Sequence, residues 1–172
     1  MALVHTKYFY SVLSKINFVR HVSKCANAHI KKSVLISQSN NIYTNLALEH
    51  WIYKNVNFTD HHVLLITQND MCIVIGSHQN PWLETNIKNF NTESNIQLAR
   101  RHTNGSALYQ DKGNINLTFF TNKEHFDSNY NLQLIRRSLF RKFSLKVNIS
   151  DQQDLMIRNL KVSFFLFIII TN

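Results

Sequence analysis

Residues 100–120 read Arg100-Arg101-His102-Thr103-Asn104-Gly105-Ser106-Ala107-Leu108-Tyr109-Gln110-Asp111-Lys112-Gly113-Asn114-Ile115-Asn116-Leu117-Thr118-Phe119-Phe120. Two guanidiniums lead into a small polar loop, and the loop runs into an apolar segment at 116–120 with the composition of a strand. Gly105 and Gly113 are two of only three glycines in the chain. A residue so scarce elsewhere marks a place where a side chain would obstruct the backbone or an approaching ligand. Successive backbone N–H groups in such a loop can cradle phosphate oxygens, with an arginine adding charge and a two-pronged donor. A solvated basic loop is the plainer alternative.

On the N-terminal side, Ser33-Val34-Leu35-Ile36-Ser37 is expected to be a strand, and residues 38–41 offer caps for a following helix. Tyr43, Ala47, Leu48, Trp51 and Ile52 recur at helical spacing and define its expected apolar stripe. Two continuous apolar runs follow, 63–67 and 71–75, separated by Gln68-Asn69-Asp70. Their β-branched content and short link predict a hairpin buried on both faces. After Gly76 comes a polar stretch to Asn86, in which Pro81 is expected to end regular structure and Trp82 to wall an apolar slot. A short strand at 96–98 would then lead back into Arg100.

On the C-terminal side, Leu132, Ile135, Leu139 and Phe143 repeat at helical spacing, with Arg136, Arg137, Arg141 and Lys142 on what reads as a solvated face. Further strands are expected within 145–149 and 155–157. Mixed order with strands in excess predicts an α/β (α+β) fold: helices packed on one mixed central sheet.

The chain has 172 residues, 44% hydrophobic and 17% charged, enough to bury a core without disulfides or metal. A net charge of +9 raises nucleic acid as a partner. Its placement argues against this: residues 1–32 hold six of the 19 basic residues and none of the ten acids, which leaves 13 against 10 elsewhere. That basic, acid-free, Ser- and His-containing segment is expected to be a mitochondrial targeting leader. Cys25 and Cys72 have no zinc spacing and the nine histidines are scattered, so no metal is expected. The run 164–170 is far shorter than the roughly twenty residues that span a bilayer, and 164–172 reads as an aberrant apolar tail.

Segments 33–51, 76–86 and 100–120 resemble the lipoate–protein ligase and lipoyltransferase family, whose loop reads Arg-Arg-x-Ser-Gly-Gly-Gly-x-Val-x-His-Asp and then Gly-Asn. Arg100, Arg101, Gly105, Asp111, Gly113 and Asn114 match that pattern. Thr103 keeps the hydroxyl of the family's Ser, Asn104 and Ser106 replace glycines, and Gln110 replaces the His. The likeness covers about 33–163, where Asp154 to Ser163 resembles the family strand ending Lys-Ile-Ser-Gly. The family's further catalytic lysine segment does not follow Ser163.

The resemblance implies an incomplete ligase-type catalytic domain over 33–163. It implies transfer of lipoyl from lipoyl-AMP (or from lipoate with ATP and Mg) to a lysine of lipoyl domains. Those acceptors would be E2 subunits of 2-oxoacid dehydrogenases and the glycine cleavage H protein, in the mitochondrial matrix, with the enzyme a monomer. It assigns Trp82, Arg101, Thr103, Gly105, Tyr109, Gln110, Asn114 and Lys161 to lipoyl-AMP, with Lys161 also catalytic. The alternative is a shortened, inactive product that retains only part of the site.

Overall fold

The computed structural model describes residues 16–19, 30–86, 96–150, 155–157, 160–161 and 164–171. Strands β1 (Ile16–Val19), β2 (Lys31–Ser37), β3 (His61–Thr67), β7 (Ile115–Asn122) and β11 (Phe164–Thr171) form one mixed sheet in the order β1-β2-β3-β7-β11. A second sheet runs β5-β4-β6, from β4 (Cys72–Ile75), β5 (Gln97–Arg100) and β6 (Leu108–Gln110). A third runs β10-β9-β8, from β8 (Asn148–Ile149), β9 (Leu155–Ile157) and β10 (Leu160–Lys161). The fold class is α+β, as expected, but the strands divide among three sheets.

The large sheet is assembled by alternation. On β3, Val63 and Leu65 join Phe120 of β7 under the helix α1 (Ile42–Asn55), packing with Leu48, Ile52 and Phe58. Leu64 and Ile66, with Leu117 and Phe119, face the other way toward α3 (Ser128–Phe143), where Leu132 and Ile135 are buried. Adjacent residues of a strand point to opposite faces, so one apolar run serves two helices. β2 and β3 are parallel, joined by α1 as a crossover, the connection that parallel neighbours require.

The expected hairpin at 63–75 does not form. β3 pairs with β2 and β7, whereas β4 pairs with β5 and β6 in the second sheet. The reason lies in the linker. Asn69 is 1% exposed and its side chain is bonded to Asn45 and Gln110. The Asp70 N–H donates to Asn40 O at 2.8 Å. Those bonds pin the linker as a corner between sheets, with Asn69 buried and Gln68 and Asp70 exposed.

The inward face of α1 is also turned from expectation. Ile42, Asn45, Leu48 and Ile52 are buried, while Tyr43 is 52% exposed and Ala47 is exposed. Pro81, expected to end structure, instead opens a single helical turn, α2 (Pro81–Glu84), behind the cap Asn80. Proline suits the first helical position because its missing N–H has no partner there anyway.

Of the expected leader, only 16–19 and 30–32 are described, and Cys25 lies outside the described residues. Residues 164–171 run parallel to β7 as its outer neighbour. Among the described residues no helix is long and apolar enough to cross a membrane.

Candidate functional site

The second sheet and the first two turns of α1 line the site. Asn41 caps α1, its side chain accepting from Tyr43 N and Thr44 N, so the helix starts where Ile42, Asn45 and Glu49 line up facing β4. The Tyr43 hydroxyl, although exposed, donates to Leu98 O at 2.9 Å and ties α1 to β5.

A chain of buried amides crosses the interior. Asn45 donates from Nδ2 to Ser39 O at 2.9 Å and to Asn69 Oδ1 at 2.6 Å. Its Oδ1 accepts from the Ser37 hydroxyl at 2.6 Å. Asn69 and Asn116 both donate to Gln110 Oε1, at 2.8 and 3.0 Å. A buried polar network is stable only when its members are paired, and one atom here is left over: Asn116 Oδ1 is buried without a partner.

These residues surround a cavity of about 20 Å³ whose wall also includes Glu49, Val74 and Arg101, room for about one water. Glu49 accepts from Thr118 Oγ1 at 3.0 Å. Burial pushes its carboxyl above the usual carboxylate range, against the opposing pull of the Thr118 bond and the Arg101 cation. Burial likewise lowers the Arg101 guanidinium, and Glu49 resists that shift. Cation and carboxylate are each other's compensation in a place where neither is well solvated.

The two arginines brace two loops. Arg100 Nη1 donates to Gly76 O, Ser77 O and Gln79 O at 2.9, 3.0 and 2.8 Å. Arg101, 4% exposed, donates to Asn104 O, Ser106 O and Val74 O. Only the second therefore lines the cavity. The loops touch at their glycines: a Cβ on Gly76 would lie 2.1 Å from Gly105 O. Gly105 has φ +117°, and a Cβ there would meet Arg101 Nη2 at 2.5 Å. Ser77 N donates to Thr103 O at 3.1 Å, and the Ser77 hydroxyl to Asn104 Oδ1 at 2.5 Å.

Of the residues expected at the site, Arg101 and Gln110 line the cavity, and Gly105 seats against Arg101. Thr103 Oγ1 is buried without a partner on the same loop. Asn114 belongs to the turn before β7, where Nδ2 donates to Asp111 Oδ1 at 3.2 Å. Tyr109 is 47% and Trp82, expected to wall an apolar slot, 72% exposed, and neither lines the cavity, whereas Val74 does. Lys161 lies on β10 opposite Met156. Sequence reasoning missed Asn45, Glu49, Asn69 and Asn116. A signal existed for two of them: Asn45 and Glu49 interrupt the buried stripe of α1 at a spacing of four. Among the described residues no three His, Cys, Asp or Glu side chains converge as metal ligands.

With this geometry in view, comparison with known proteins defines the class. The profile of the lipoyl protein ligase A/B catalytic domain matches residues 41–163, and the chain belongs to that family. Human mitochondrial lipoyl amidotransferase LIPT1 is 49% identical over 106 residues, 62% of this chain and 28% of that protein. Lipoate–protein ligase 1 of Plasmodium falciparum is 31% identical over 160 residues, 84% of this chain and 38% of that protein. Among solved structures, P. falciparum LipL1 in complex with lipoate superposes with a TM-score of 0.64 at 31% identity, covering 76% of this chain and 42% of that one. A lipoate–protein ligase A bound with ATP gives 0.58 at 20% identity over 77% and 57%, which is likeness of fold alone. The chain thus spans little more than a quarter of LIPT1's length.

Proposed function

We propose that the chain binds lipoyl-AMP between α1 and the two glycine-bearing loops and moves its lipoyl group to a lysine of a lipoyl domain. The acceptors are E2 subunits of 2-oxoacid dehydrogenases and the glycine cleavage H protein, and the compartment is the mitochondrial matrix. The enzyme acts as a monomer, and lipoyl-AMP is either taken up preformed or made from lipoate, ATP and Mg. The observation that carries this reading is the meeting of Gly76 and Gly105 beside Arg101, which itself lines the cavity under α1. The two backbones approach there at a distance side chains would forbid, next to a buried cation.

The chemistry follows from the bonds exchanged. The acceptor amine attacks the acyl carbonyl carbon, a C–N bond forms, and the C–O bond to phosphate breaks. AMP leaves with that electron pair, and the amine proton passes to solvent. An unperturbed lysine, pKa near 10.4, is mostly charged at neutral pH, so orientation and stabilisation of the departing phosphate carry the step. Arg101 and Lys161 supply that positive charge. The unpaired oxygens of Thr103 and Asn116 fit polar groups of the ligand. A lipoyl tail exceeds a cavity of about 20 Å³, so the cavity receives only a polar group of the ligand and the tail lies outside it. Burying about four of its methylenes contributes roughly 3 kcal/mol.

Incubation of the chain with lipoyl-AMP and an apo lipoyl domain, read by intact mass, should add one lipoyl group to the domain's lysine. Binding of lipoyl-AMP in calorimetry without any transfer would instead favour a ligand-holding chain that does not catalyse.

A further inference from the structure

Neighbouring residues of α1 meet neighbouring residues of loop 101–106. Glu49 and Arg101 line one cavity. One position further along each segment, the imidazoles of His50 and His102 stack, with centroids 4.0 Å apart and planes inclined by 22°. His50 Nδ1 is buried with no hydrogen-bond partner. Its other aromatic neighbour is Tyr53, 6.5 Å away and tilted by 41°. His102 is exposed.

We propose that His50 is a positioning residue for loop 101–106: its stack on His102 seats the adjacent Arg101, and the stack holds only while the rings are uncharged. This rests on the reading that the loop contacts lipoyl-AMP. A protonated His50 would carry an N–H on a buried nitrogen that has no acceptor, and two charged rings would face each other at stacking distance. The groups around His50 act in the same direction. Burial, then His102 and Lys54, push its imidazole below the usual histidine range. Of the other charged neighbours, Arg101 on the loop is a cation, and the Glu49 carboxyl is turned to Thr118. Acidification below the ordinary histidine value of 6.5 therefore separates the rings and releases the loop.

The test uses the whole chain and two variants, His50→Phe, which keeps a ring that cannot charge, and His50→Ala. Without ligand, hydrogen-exchange protection of 101–106, corrected for intrinsic rates, should fall about tenfold in the native protein between pH 8 and pH 5. His50→Phe should hold its protection across that range, and His50→Ala should be low throughout. Affinity for lipoyl-AMP, measured by calorimetry at the same pH values, should fall in the native protein and stay level in His50→Phe. Native protection that does not change with pH, or a His50→Phe profile that copies the native one, overturns the proposal. Protection that behaves as expected while no variant binds lipoyl-AMP at any pH supports the stack's hold on the loop and overturns the functional reading.

Discussion

The same helix, α1, is built for two different neighbours. One side of it buries Leu48 and Ile52 against Phe58, Val63, Leu65 and Phe120, an apolar contact that needs only volume and shape. Another side presents Asn45 and Glu49 to a cavity rimmed by Asn69, Gln110, Asn116 and Arg101. The first region stabilises without choosing a ligand. The second is polar, incompletely paired and closed by glycine contacts, so it is the place where a ligand's oxygens can replace internal ones.

The largest effect should come from the apolar side. Phe120 is 1% exposed and stacks on Phe58 with centroids 5.6 Å apart. Phe120→Ala should cost about 3–5 kcal/mol in urea unfolding. On the polar side, Gly76→Ala must push its Cβ into Gly105 O. It should lose about 1–3 kcal/mol of stability by overpacking, and lose lipoyl-AMP affinity more steeply than Phe120 variants that still fold.

Arg101→Ala comes next. It removes a donor from the carbonyls of Val74, Asn104 and Ser106 and leaves Glu49 without its cation. Calorimetry should show lipoyl-AMP binding weakened by about 1.5–3 kcal/mol through loss of charge-assisted contacts. The comparison would break if Arg101→Ala changed stability alone.

Glu49→Gln sharpens the contrast through pH. The Glu49 pKa is raised in the folded state, so the folded chain holds this proton more tightly than the unfolded one. The stabilisation this gives is fully present below the ordinary value of 4.5 and is lost as pH rises through the folded value. Relative to the native protein, Glu49→Gln should gain stability as pH rises from 4.5 upward, in urea melts taken at a series of pH values. The smallest effect is at α3, far from either side. Asp127 caps that helix by accepting from Tyr130 N at 3.0 Å, and Asp127→Ala should cost about 1 kcal/mol without altering ligand affinity.

What could be read from the sequence divides along the same line. β2, β7, α3 and the cap at Asn41 follow from local composition and period, because burial in the large sheet rewards apolar residues at fixed spacing. The second sheet was not legible that way. The runs 63–67 and 71–75 look alike, and only the long-range bonds of Asn69 send them to different sheets. The two arginines were visible as a pair, but their division of labour depends on which carbonyls the Gly76 and Gly105 loops turn toward them. Asn116 gave no motif, since a lone polar residue in an apolar strand reads as solvated until its partner is placed.

The most direct measurement is a calorimetric titration of lipoyl-AMP into the native chain and into Arg101→Ala, with far-UV circular dichroism confirming that both are folded. One site per native chain is expected, weakened by about 1.5–3 kcal/mol in the variant. No heat of binding to the native chain, or equal affinity in the two proteins, would contradict it.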